Sequence, residues 1–128
     1  MNEEMMLSVL KPFFETLNIS IKTITPALNY ELEADGFFFY LTLSNNGDAM
    51  LASRLQNKNK YLREDVLVYF LQKNTFENTH PMIIYSSNVE MDIVLWAKFS
   101  LMKLTDDELS HLANRFTTAI FDTASRLG

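Results

Sequence analysis

The sequence predicts a single α+β domain (an α/β fold in the broad sense), an antiparallel sheet packed by helices in the order helix, three-stranded meander, helix, two strands, helix. Three observations carry that expectation. Apolar residues recur at spacings of three and four in positions 5–17, 62–76 and 109–127, whereas positions 28–55 and 91–101 alternate apolar with polar. Asp35-Gly36 and Asn45-Asn46-Gly47-Asp48 punctuate the first alternating stretch with residues that tolerate the backbone of tight turns. A length of 128 residues matches one ordinary domain, spanning positions 1–128, and lets roughly two thirds of the unfolded surface be buried.

In Met5–Leu17 the apolar stripe is Met6, Leu7, Leu10, Phe13, Phe14 and Leu17, and Pro12 interrupts it. A proline deep in a helix removes a hydrogen bond and crowds the preceding turn, so a kink or a later start is expected. Asn18–Pro26 is rich in β-branched residues and ends at a proline, which suits an extended connection or an edge strand. Leu28, Tyr30 and Leu32 alternate with Asn29, Glu31 and Glu33 as a half-buried strand ending at Asp35-Gly36. Phe37–Ser44 is its partner, with Phe37, Phe39, Leu41 and Leu43 on one side and Phe38 and Tyr40 on the other, and Ala49–Leu55 completes the meander.

Gln56–Tyr61 is polar and lysine-bearing, a loop. Leu62–Phe76 reads as the second helix, apolar over so wide an arc that it needs two surfaces to pack against, such as the sheet and a second subunit. Met82–Ser86 and Met91–Leu101 are the last two strands, separated by a turn at Asn88. Thr105-Asp106-Asp107-Glu108 then forms a capping box, in which hydroxyl and carboxylate each satisfy the other residue's amide, with Leu104 and Leu109 placed as a staple. Leu109, Leu112, Phe116, Ile120, Ala124 and Leu127 form the apolar stripe of the closing helix, Thr105–Leu127.

Composition narrows the function. Sixteen acidic against eleven basic side chains give a net charge of -5, which repels polyanions and argues against nucleic acid as a partner. With no cysteine there is no thiolate nucleophile and no disulfide, as suits a reducing cytosol. The amino terminus opens with Glu3 and Glu4 where a signal peptide needs basic residues, and no apolar run reaches membrane-spanning length, so a soluble, non-exported chain without membrane insertion is expected. Hydrophobic residues make up 48%, including ten Phe and seven Met, so some of that surface is expected to meet a partner.

Catalytic and cofactor motifs are missing. Glycines stand only at Gly36, Gly47 and Gly128, so no phosphate loop can be drawn, and His80 and His111 lack metal-binding spacing. Glu31, Glu33 and Asp35 share one side of a strand and read as its solvent face rather than a carboxylate pair for glycoside or metal chemistry. Arg54, Lys58, Lys60 and Arg63, around Tyr61, read as a solvated loop balanced by Glu64 and Asp65. Trp96, with Val94 and Lys98, lies on the opposite strand face from Ile93, Leu95, Ala97 and Phe99, and suits either core packing under a helix or an exposed interface anchor.

Together, Leu67–Phe76, which reads as a helix ending at an Asn, and Leu95-Trp96, Leu101, Leu104, Leu109, Leu112 and Phe116, strand leading to closing helix, resemble the class I chaperones of bacterial type III secretion, the family of the Tir chaperone. The resemblance covers nearly the whole chain. It implies a cytoplasmic homodimer, built partly through the second helix, that binds the amino-terminal segment of a secreted effector in extended form, with no ATP, metal or other cofactor. On that reading Phe38, Tyr40, Met50 and Trp96 are the expected effector-binding residues, and Val66, Tyr69 and Phe70 the expected dimer contacts. A small apolar-ligand carrier and an adaptor subunit of similar fold are the alternatives.

Overall fold

The computed structural model describes residues 1–17, 22–24, 28–34, 36–75 and 80–127. The amino-terminal stripe forms two short helices, α1 (Glu3–Val9) and α2 (Lys11–Leu17), hinged at Leu10. The start is earlier than the proline suggested, because Asn2 caps α1 by accepting from the Met5 amide at 2.8 Å and Glu3 and Glu4 complement the helix dipole. Pro12 stands at the second position of α2, where a first-turn amide has little intrahelical bonding to lose.

The sheet has six strands, in the spatial order β1 (Lys22–Ile24), β2 (Asn29–Ala34), β3 (Phe37–Leu43), β4 (Asp48–Leu55), β6 (Ile93–Ser100) and β5 (Ile84–Ser87), each pair antiparallel. The meander and the order of the final two strands are as expected, β5 beginning at Ile84 and not at Met82, and Lys22–Ile24 supplies an edge strand from the stretch left open between connection and strand. The rest of Asn18–Pro26, together with Asp35 and Phe76, lies outside the described residues. Gly36 and Gly47 take φ of 86° and 88°, the left-handed region that their turns require. The last strand is shorter than Met91–Leu101, since Met91 has a positive φ and Leu101–Lys103 coils into a 3-10 turn.

One face of this sheet holds the core. Register aligns Leu41, Leu51 and Ala97 across three strands and Leu32 with Phe39, all fully buried. Against them pack Met6, Leu10 and Phe13 from the first two helices and Leu109, Leu112, Phe116 and Ile120 from α4 (Asp106–Leu127). Phe39 meets Phe116 at 5.8 Å between ring centroids, and Phe37 meets Phe121 at 5.3 Å. The capping box of α4 is formed: the Thr105 amide donates to Glu108 Oε1 at 3.0 Å and the Glu108 amide to Thr105 Oγ1 at 3.2 Å.

α3 (Glu64–Lys73) is shorter than Leu62–Phe76 and packs on the edge strand β5, where the rings of Tyr69 and Phe70 meet Tyr85 at 5.8 and 5.9 Å. At this end of the sheet the basic loop finds its counter-charges somewhere other than expected. Asp65 does pair with Arg63, but Arg54 pairs with Asp92 at 2.6 Å and Glu90 at 2.7 Å, and Lys60 lies 3.6 Å from Asp92. The Asp92 carboxylate is buried and also accepts from the Asn57 amide at 3.0 Å, while Asn57 Nδ2 donates to the carbonyls of Tyr61 and Met91. These bonds tie the loop after β4 to the β5–β6 hairpin.

Candidate functional site

Alternation that buries one side of each strand from β2 to β6 presents the other side as a second face, which takes part in no helix-to-sheet ring contact among the described residues. Register lays Glu31, Tyr40, Ala52, Trp96 and Ile84 in one row across five strands of this open face. The neighbouring row is Asn29, Thr42, Met50 and Lys98, and Phe38 stands beside Glu33 on the other flank. Ala52, between Tyr40 and Trp96, makes a low point between two large rings.

All four residues expected on a partner-binding surface are therefore brought together. Phe38 is 48% and Tyr40 39% exposed, whereas Met50 and Trp96 are half-buried. Trp96 is no core residue under a helix: it lies on the open face, with Lys98 Nζ 5.7 Å from its ring centroid, within reach of a cation–π contact. Glu31 and Glu33 edge the surface, and the sheet backbone beneath it is already hydrogen-bonded within the ladder. Such a face can offer apolar area and a rim of charge.

A different arrangement emerges at α3. Val66, Tyr69 and Phe70 face inward and are buried within the protomer's own core. The Tyr69 ring is sandwiched further, with the Arg126 guanidinium 3.9 Å from its centroid, and its hydroxyl has no hydrogen-bond partner among the described residues. The apolar residues that α3 turns outward are Leu67, Val68 and Leu71, the last 73% exposed. Spacing alone could not separate the two sets, because the helix is apolar on both.

Among the described residues no group of three or more His, Asp or Glu side chains could hold a metal ion, and no helix is long and apolar enough to cross a membrane. The strongest pKa displacements are structural. The Asn57 amide and the Arg54 guanidinium hold the Asp92 carboxyl below the usual carboxylate range, the Thr105 amide and hydroxyl do the same for Glu108, and burial together with the hydrogen bond to Glu3 raises the Tyr30 phenol.

No protein-family profile and no curated protein matches the chain. Solved structures do. The chain is similar to the Yersinia pestis type III secretion chaperone SycH in complex with a fragment of YscM2, at TM-score 0.67 and 18% identity over 96% of this chain and 99% of that one. It is similar to a chain of the ExoT–SpcS complex from Pseudomonas aeruginosa, at TM-score 0.65 and 15% identity over 95% and 98%. A chain of the HopA1–SchA chaperone–effector complex matches at TM-score 0.65 and 11% identity over 98% and 99%.

Proposed function

We propose that this chain, which has the fold of the type III secretion chaperones, is itself a secretion chaperone that holds the amino-terminal segment of a secreted effector in extended, non-globular form. The observation that carries the reading is the open sheet face, on which Phe38, Tyr40, Met50 and Trp96 stand together with no helix of the described chain in ring contact there. Apolar side chains of an unfolded segment would dock over Tyr40, Ala52 and Trp96, and Met50 gives that surface a side chain able to adapt to irregular partners. Solubility of so apolar a surface is supported by the net charge of -5. The chaperone acts in the bacterial cytoplasm, binds no nucleotide or metal, and catalyses no reaction.

We also propose that it works as a homodimer through the outward side of α3, since Leu67, Val68 and Leu71 form an apolar strip on a helix whose other side is already committed to the core. The carrier alternative has less support. Between sheet and helices, where a small apolar ligand would sit, Phe39 packs directly on Phe116.

The test is co-purification from the native cell followed by mapping of the captured partner. A secreted protein held through its amino-terminal region, and lost from Phe38→Asp and Trp96→Asp variants that still fold, is the expected result. Retention of the partner by both variants rules out the proposed surface. Capture of a structured machine component instead would favour the adaptor reading.

A further inference from the structure

Beyond Met50 the open face runs into a groove of about 500 Å³ with Thr42, Ser44, Met50 and Ser100 among its walls. Lys98 and Lys103 contribute its positive charge, His80 also lines it, and Asp48 is its one carboxylate among the described residues. Arg54, Lys60 and Arg63 are each neutralised by carboxylates of the chain, whereas Lys98 and Lys103, like Lys58 in the distant loop, form no ion pair among the described residues. In a chain of net charge -5, two ammonium groups against one carboxylate beside Met50 make a local field opposite in sign to that of the whole molecule. Lysine stems can line such a groove while the heads meet the ligand.

We infer that the groove is a binding site for an acidic peptide segment: an Asp or Glu side chain of the bound chain enters it and pairs with Lys98 and Lys103, while the apolar residues beside that acid lie over Met50 and Trp96. This deepens the chaperone reading, on which it rests for the identity of the partner. Glu31 and Glu33, on β2, stand two strands away from Met50 and do not contribute to the groove.

Two synthetic peptides with one shared apolar pattern, bearing Glu in one and Lys in the other at the polar positions, test the inference by fluorescence anisotropy on the full chain. The acidic peptide should bind about tenfold more tightly at low salt, with the preference shrinking as salt is raised. Charge reversal in the Lys98→Glu/Lys103→Glu variant should invert the preference, and Lys58→Glu, which changes the net charge equally per residue at a distant loop, should leave it in place. Circular dichroism establishes that the variants fold. Equal affinity for the two peptides, no binding of the acidic one up to about 1 mM, a preference that survives the double reversal, or displacement of the peptide by a single-stranded oligonucleotide each overturns the inference. Because neither peptide is an effector, those outcomes leave the chaperone reading standing, and failure to capture a secreted partner leaves the groove's preference standing.

Discussion

Asn74, at the end of α3, holds Tyr85 of β5 with both ends of its amide: Nδ2 donates to the Tyr85 carbonyl and Oδ1 accepts from the Tyr85 amide, each at 2.8 Å. β5 is the outermost strand, bonded on its other side to β6, so the side chain stands where the next strand of the sheet would be. An exposed edge is a ready template for another chain, and here one side chain occupies the outward backbone groups of Tyr85 at its middle. Asn74→Ala should lower stability by about 1–3 kcal/mol, the usual consequence of leaving part-buried backbone groups unpaired. It should also produce association that increases with concentration. Urea denaturation and light scattering measure the two effects, and an Ala variant as stable and as dispersed as the parent would show that the amide is not the seal.

The buried Asp92 makes acid the natural stress for this fold. Its folded-state pKa is depressed by the Asn57 amide and Arg54, so its contribution to stability is present in full above the unfolded-state pKa of about 3.9 and is lost as the pH falls from there through the lower folded-state value. Glu108, held by Thr105, acts in the same direction. Asp92→Asn should therefore be less stable than the parent at neutral pH, with the gap narrowing as the pH falls below about 5. Denaturation midpoints measured across that range check it, and a gap that does not change with pH would show that Asp92 acts through packing alone.

What the sequence made legible follows from how far apart the interacting residues are. Alternation from Tyr30 to Leu55 and the Thr105–Glu108 box are local patterns, and both appear in the structure where the pattern places them, although Leu28 takes a positive φ and stands outside β2. The four open-face residues were also legible one strand at a time, because Phe38, Tyr40, Met50 and Trp96 each oppose a buried neighbour. Their gathering into adjoining rows was not, since it depends on β4 pairing with β6 across some forty residues. Asp92 was missed for the same reason: its partners Arg54 and Asn57 are 38 and 35 positions away, and nothing beside it marks a hairpin aspartate as buried. The edge role of Asn74 likewise required β5 to be known as the outermost strand.

The open face should tolerate polar substitution with little effect on folding. Phe38 contributes to no ring pair among the described residues and leaves about half its surface in water, so Phe38→Asp should change stability by less than about 1 kcal/mol while abolishing partner capture. Phe39→Ala, one residue away on the other face, should cost about 3–5 kcal/mol, because it empties the space against Phe116. Thermal denaturation of the pair distinguishes the faces, and comparable losses in both would mean that Phe38 is a packing residue.

α3 offers the sharpest separation of folding from assembly, because its two apolar sides carry different loads. Val66 lies in the core, and Val66→Asp would bury a charge without a partner, so that variant should fail to fold at any concentration. Leu71 is largely in water in the lone protomer, and Leu71→Asp should leave the protomer folded while placing two like charges near each other across a dimer built on this side of the helix. Tyr69→Phe removes a buried hydroxyl that has no partner among the described residues, and it should be neutral or slightly stabilising. Sedimentation at micromolar concentration then gives the discriminating result: a parent dimer with a Leu71→Asp monomer of unchanged circular dichroism supports the outward strip as the interface. A Leu71→Asp dimer, or a parent that is already monomeric, removes it.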